Sequence, residues 1–204
     1  MKRLTLLLAV MGMALLLSAG VAFADTFDCI ANRGCIGTDG PDTLYGSSRS
    51  DYMNAMQGAD VLYGHEGYDY LSGDDFEASD TSTDGNDRIA GGQNYDELYG
   101  YGGNDKFLGR SGGDFIFAEE SSENEGEDIV QGNEGSDFIL ARDGVKDTIN
   151  CGPGEHDWVV FDKGGIDTVK DSCERKRGGV YSAAATSGTT EKVSVKELEA
   201  LRAR

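Results

Sequence analysis

The sequence predicts an all-β chain wound as a repeat solenoid, on three observations. From Gly37 the residues fall into units of nine, each unit carries Asp at its sixth place, and a large apolar residue follows two positions later. Composition agrees. Gly accounts for 30 of 204 residues, Pro for 2, and hydrophobic residues for only 38%. That much Gly argues against a helical bundle yet falls far short of collagen, and Leu, Ile, Val and Phe are too few to fill a large conventional core. Acids outnumber bases 37 to 18, for a net charge of −19. Nucleic acid and anionic membrane surfaces would repel such a chain and are excluded as partners.

Residues 1–24 read as a secretory signal peptide. Lys2 and Arg3 form the basic start, Leu4 to Leu17 is an almost unbroken apolar run, and Ala22-Phe23-Ala24 supplies a small-x-small cleavage site. The mature chain then starts at Asp25 and contains no apolar run long enough to insert into a bilayer. The predicted location is therefore extracellular. Cysteine usage fits an oxidising compartment: Cys29 and Cys35 lie near the mature start, Cys151 and Cys173 near the end of the patterned region. By count alone three connectivities are open. Zinc is disfavoured, because neither pair has Cys-x-x-Cys spacing and His65 and His156 are far apart. Residues 25–36 are expected to form an N-terminal cap.

The repeat begins Gly-Thr-Asp-Gly-Pro-Asp-Thr-Leu-Tyr (37–45), and among its clearest copies are Gly-Tyr-Gly-Gly-Asn-Asp-Lys-Phe-Leu (100–108) and Gly-Asn-Glu-Gly-Ser-Asp-Phe-Ile-Leu (132–140). The sixth-place residues are Asp42, Asp51, Asp60, Asp69, Asp87, Asp96, Asp105, Asp114, Asp128, Asp137, Asp147, Asp157 and Asp167. Two residues after each come Leu44, Met53, Leu62, Leu71, Ile89, Leu98, Phe107, Ile116, Val130, Ile139, Ile149, Val159 and Val169. Local hydrogen bonding in turns explains an occasional Asp but not a whole column. Residues 73–81 read as a degenerate unit with Ala78 and Asp80 at the key places, and Ser121 to Asn124 sit in an insertion. The last three intervals lengthen to ten residues.

With its Gly-Gly-x-Gly-x-Asp-x-U-x pattern, the chain resembles the RTX, or haemolysin-type, calcium-binding repeat proteins over roughly residues 37–170. The resemblance implies a right-handed parallel β-roll with several Ca²⁺ ions between stacked Gly-rich loops, held by the sixth-place aspartates. Elementary chemistry points the same way. Gly-rich turns can aim carbonyls inward, and carbonyl and carboxylate oxygens are the hard donors that Ca²⁺ takes in groups of six to eight. The segment x-U-x is a short strand with U inside, and two units make one coil, so loops two units apart stack at about the 4.8 Å strand spacing. Residues 25–173 contain 33 acids against 9 bases, which calls for counter-ions. Second-place Gly is replaced by Ser47, Met56, His65, Tyr101, Arg110 and Asn133, and fourth-place Gly by Arg49 and Asn94, which predicts weaker sites in those loops.

The β-roll, expected over 37–174, also bears on the cysteines. A coil of about two ten-residue units puts Cys151 and Cys173 on adjacent rungs, within disulfide reach. Cys29 and Cys35 would close a small loop at the other end, so the roll is expected to have disulfide-clamped ends. The secretory leader and the cysteines depart from the better-known RTX toxins and proteases, and no His-Glu-x-x-His motif is present. What carries over is the repeat module, not cytolysis or proteolysis.

Outward-facing seventh and ninth places collect Glu97/Tyr99, Phe115/Phe117, Phe138/Leu140 and Trp158/Val160 on one sheet. Contiguous apolar surface of this kind marks a contact face, here Tyr99, Phe115, Phe117, Phe138, Leu140 and Trp158. Its expected occupants are the protein's own tail, another protein, a second copy, or a glycan stacked on the rings. After basic Arg175-Lys176-Arg177, residues 175–193 read as a flexible linker. A short amphipathic helix follows over 194–204, with Ser194 and Glu197 as capping box. The predicted function is a secreted, non-catalytic calcium-binding protein. The alternatives are an adhesin or carbohydrate-binding module using the aromatic face and, less favoured because basic residues are scattered and the coil is short, a parallel β-helix polysaccharide lyase.

Overall fold

Because each unit is one short strand and one Gly-rich turn, successive strands alternate between two parallel sheets. The computed structural model describes residues 24–29, 34–75, 84–118, 126–154 and 156–179. The leader up to Phe23 and the helix expected over 194–204 lie outside the described residues. One sheet, sheet A, stacks β1 (Asp25–Asp28), β3 (Asp42–Tyr45), β5 (Val61–Glu66), β7 (Arg88–Gln93), β9 (Lys106–Ser111), β11 (Ile129–Glu134), β13 (Thr148–Asn150) and β15 (Thr168–Val169). Sheet B stacks β2 (Cys35–Ile36), β4 (Tyr52–Asn54), β6 (Tyr70–Ser72), β8 (Glu97–Tyr99), β10 (Phe115–Phe117), β12 (Phe138–Ala141), β14 (Trp158–Asp162) and β16 (Arg175–Gly179). Every pairing is parallel, as the β-roll reading requires.

Register places like on like. On sheet A, Leu44, Leu62, Ile89, Phe107, Val130 and Ile149 follow one another rung to rung. On sheet B, Met53, Leu71, Leu98, Ile116, Ile139 and Val159 do the same. These twelve side chains are no more than 1% exposed. At about 1.5–3 kcal/mol for each fully buried apolar side chain, the two columns supply the main apolar driving force of a narrow core.

The degenerate unit expected over 73–81 does not form a rung. β5 pairs directly with β7, and β6 with β8, across 27 residues rather than 18. Gly73 and Asp74 continue β6 into the turn, and Asp84-Gly85-Asn86-Asp87 completes the turn into β7. Among the described residues no strand therefore comes between β5 and β7 or between β6 and β8. Pairing rewards a rung only if an inward apolar residue can fill the core column, and Ala78 is the smallest candidate in the series.

Both ends of the roll extend past their expected boundaries. In the expected cap, Asp25 and Phe27 pair with Asp42 and Leu44 and so repeat the Asp-x-apolar spacing as a full rung. At the other end Arg175–Gly179, expected to begin the linker, forms β16 against β14. Glu174 stands in for the sixth-place Asp, accepting the Asp157 N–H at 2.7 Å. Lys176 takes the eighth place opposite Val159, and its ammonium reaches out to the Lys170 carbonyl at 2.8 Å and the Asp171 carboxylate at 3.8 Å. A charge where the core column calls for an apolar residue ends the stack and blunts the open edge. The disulfides Cys29–Cys35 and Cys151–Cys173 are both formed, with Cα separations of 5.3 and 5.1 Å.

Candidate calcium site

Each sixth-place aspartate stands at or immediately before the start of its strand, and its side chain turns inward beneath the Gly-rich loop. Twelve of the thirteen, Asp42 to Asp157, are at most 5% exposed, and Asp167 on the last of these turns is half-buried. Their Oδ1 atoms form a ladder along the roll axis. Asp60 Oδ1 accepts the N–H of Asp42 at 2.6 Å, Asp87 that of Asp60 at 2.8 Å, and Asp105 that of Asp87 at 2.8 Å. The column runs on through Asp128, Asp147 and Asp167. The second column links Asp51, Asp69, Asp96, Asp114, Asp137 and Asp157 in the same way, at 2.8–3.0 Å. In every one of these carboxylates except Asp51, which heads the second column, Oδ1 is thus a structural acceptor that ties one rung to the next.

The other half behaves differently in the middle and at the ends. Oδ2 of Asp60, Asp69, Asp87, Asp96, Asp105, Asp114, Asp128, Asp137, Asp147 and Asp157 is buried with no hydrogen-bond partner. At the start of the columns, Thr38 donates to Asp42 Oδ2 from both backbone and hydroxyl, at 2.6 and 3.0 Å. Ser47 does the same for Asp51, at 2.6 and 2.8 Å. At the far end the Asp162 N–H donates to Asp167 Oδ2 at 2.6 Å. At the ends the protein itself supplies donors to Oδ2, although Asp51 keeps its Oδ1 buried without a partner, and ten internal carboxylates each keep Oδ2 buried without a donor. An ionised oxygen so placed carries its full desolvation penalty unless a cation meets it.

The turns explain how these oxygens gather. Second and fourth places adopt positive φ in pairs: Met56 and Gly58, His65 and Gly67, Tyr101 and Gly103, Arg110 and Gly112, Asn133 and Gly135. Replacement of the second-place Gly leaves the turn intact, at about 1–2 kcal/mol per non-Gly residue in the left-handed region. The loops of residues 37–54, with Thr38 and Ser47, contain no positive φ at all. Gly64 shows why the first place favours Gly. A Cβ there would stand 2.5 Å from both Asp69 Oδ2 and the Gly91 carbonyl oxygen of the next rung. The partnerless carboxylate oxygen and a main-chain carbonyl thus converge on the same cradle. Among the described residues no three His, Cys, Asp or Glu side chains gather into a cage. A cation here would have to combine carboxylates with main-chain carbonyls. These are hard oxygen donors, and they fit Ca²⁺.

Burial governs the electrostatics. It pushes Asp69, Asp96 and Asp137 up to about 7 from 3.8, and neighbouring carboxylates in the column add to the rise. Burial raises Asp87, Asp105 and Asp128 too, helped by the charges of acids around them. The loops leading into sheet A are richer in acid because they hold buried Asp74, Asp143 and Asp162 as well. Burial and the nearby charge of Asp84 raise Asp74 to about 9. These extra acids lie outside the sixth-place column and were not read from the sequence. The signal was an Asp beside the first place of an irregular unit.

The aromatic face predicted on sheet B is longer than its sequence reading. Tyr52, Tyr70, Tyr99 and Phe117 stack rung upon rung with centroids 4.9, 4.9 and 4.3 Å apart. Phe115 continues the ladder from Phe117 and stacks on Phe138 at 4.5 Å. Phe115 and Leu140 are buried, and the Arg175 guanidinium lies 5.7 Å over Trp158. Ring faces here meet neighbouring rings along the sheet.

Comparison with known families bears on the loops, not on this face. The model of the RTX calcium-binding nonapeptide repeat (4 copies) matches residues 36–71, 81–116 and 124–145. No curated protein matches the chain. The ladder of carboxylates crosses all three stretches and runs beyond them to Asp167 and Glu174. Two parallel sheets, nine-residue units and inward Asp columns all coincide with that match: the chain is a β-solenoid built on RTX calcium-binding nonapeptide repeats.

Proposed function

We propose that the protein is exported, is not an enzyme, and uses Ca²⁺ as the counter-charge that lets its roll fold and persist. One observation carries this reading: ten buried Oδ2 atoms, on successive internal turns, lack any donor. In this reading Asp60, Asp69, Asp87, Asp96, Asp105, Asp114, Asp128, Asp137, Asp147 and Asp157 ligate Ca²⁺ through Oδ2, with turn carbonyls completing the shell. Asp42, Asp51 and Asp167 hold their loops instead. Bound calcium supplies charge neutralisation, and the chain's own residues supply the stacking that places the oxygens. Export is supported by the leader-like residues 1–24 and by two disulfides, which persist in oxidising compartments.

Calorimetric titration of the mature chain with Ca²⁺, paired with circular dichroism in excess chelator, tests the reading. Binding of several ions with coupled gain of β-structure is the expected result. An unchanged β spectrum and melting point in chelator would overturn it.

A further inference from the structure

Sheet A carries a trough on its outer face, where its strands run into the Gly-rich turns. On β5, β7 and β9 the ninth-place residues Tyr63, Ala90 and Leu108 lie in register, as do the second-place residues His65, Gly92 and Arg110 that follow. At both places the order is large, small, large. The β7 rung therefore drops to a floor of Ala90-Gly91-Gly92, between walls two strand spacings apart, about 9.6 Å. The cavity so formed has a volume of about 560 Å³ and is bordered by Tyr63, His65, Glu66, Gln93 and Arg110.

Its chemistry is that of a ring-binding groove. Tyr45 stacks on one face of Tyr63, with centroids 5.2 Å apart and planes 11° from parallel. Tyr63 also lies 6.4 Å from the His65 ring, with planes 27° apart, and both rings border the trough. His65 and Arg110 hold φ of 77° and 81°, where Gly would be easier, yet present an imidazole and a guanidinium to the groove. The Arg110 side chain makes no ion pair among the described residues, in a chain of net charge −19. A guanidinium with no ion pair among the described residues, beside an aromatic ring that borders the trough, suits a planar anion borne on an apolar-faced ring.

We propose that this trough binds a pyranose ring carrying a carboxylate, a uronic acid unit of a glycan. The C–H face of the sugar lies on Tyr63, its carboxylate pairs with Arg110, and its hydroxyls meet Gln93 and Glu66. This goes beyond calcium binding and needs the loops only to keep the roll folded.

The test is titration of the calcium-loaded mature chain with methyl uronides of gluco, galacto and manno configuration and with their neutral counterparts, followed by NMR. At least one uronide should saturate, about tenfold more tightly than its neutral counterpart, the margin expected of one charge-assisted pair. Arg110→Ala should erase that margin, and Ala90→Leu should abolish binding by filling the floor. Leucine is already accepted at Leu108 in the same column, so Ala90→Leu should keep the wild-type spectrum and calcium stoichiometry. Failure of every sugar to saturate, or unchanged binding in a folded Ala90→Leu chain, overturns the proposal. Neutral sugars binding as tightly as uronides, with Arg110→Ala silent, overturns it too.

Discussion

Replacing Asp114 by Asn separates the two roles of a ladder carboxylate. Oδ1 of Asp114 accepts the Asp96 N–H at 3.0 Å, while Oδ2 is buried without a partner. Asparagine keeps an acceptor for the ladder but replaces the charged oxygen with an uncharged amide. Burial, with the charge of Asp96 second, raises Asp114 from 3.8 to about 7. A rise of that size corresponds to about 4 kcal/mol against the ionised form at alkaline pH. Without calcium at pH 8, Asp114→Asn should therefore be more stable than the parent by up to about that amount. With calcium in tenfold excess over its dissociation constant, the loss of one site forfeits about 1.4 kcal/mol and offsets part of that gain. The variant's advantage should thus shrink or reverse as calcium is added. Asp114→Ala also strips the Asp96 N–H of its acceptor, at about 1–3 kcal/mol, under both conditions. The assay is thermal and urea unfolding of the three chains followed by circular dichroism, metal-free and calcium-loaded. If Asn destabilised the metal-free chain as much as the loaded one, Oδ2 would not be an electrostatic burden relieved by calcium.

Other consequences are equally concrete. Asp69, Asp96 and Asp137 have folded-state values near 7, above their unfolded value of 3.8. The metal-free roll should therefore be most stable when these groups are protonated in both states, and should lose stability as pH rises from about 4 through 7. A pH titration of chain freed of metal on chelating resin checks this, and stability that instead rose with pH would contradict it. In calcium the trend should reverse, because protons compete for the same oxygens, and the calcium midpoint of folding should rise on acidification. Gly64→Ala places a Cβ 2.5 Å from Asp69 Oδ2 and from the Gly91 carbonyl. Such overpacking should cost about 1–3 kcal/mol and raise the calcium midpoint. Replacing Cys151 and Cys173 together by Ser opens a 22-residue link. It should cost about 3 kcal/mol, with hydrogen exchange accelerating first in β14 and β16.

Much of the fold was legible because one physical rule repeats. A nine-residue period with Asp and an apolar residue two apart specifies which side chains face inward, and both strand alternation and disulfide pairing follow from it. Residues 73–83 misled because spacing along a chain cannot distinguish an added rung from a turn split by an insertion; only pairing of β5 with β7 decides. The first rung escaped notice because Asp25 and Phe27 stand before the period begins. The last escaped because Glu174 keeps the acceptor role of the sixth place in another residue type, while Lys176 puts a charge at the eighth place, where the pattern calls for an apolar residue. Within the site, the Asp column was visible but its division of labour was not. Whether Oδ2 finds a donor depends on Thr38, Ser47 or the Asp162 amide folding back onto it, a matter of loop conformation rather than of residue pattern.

If residues 1–24 are the leader proposed above, the first rung would couple export to assembly. The Asp25 nitrogen lies 3.1 Å from Asp42 Oδ1, at the head of a column of buried carboxylates. In the precursor that nitrogen is an amide. Removal of the proposed leader after Ala24 would convert it into an α-ammonium, charged below about pH 8, and set a cation against the acid that begins the stack. Processing would then do at one end, by covalent means, what metal does along the length, and a roll still tethered to its leader would lack that lock.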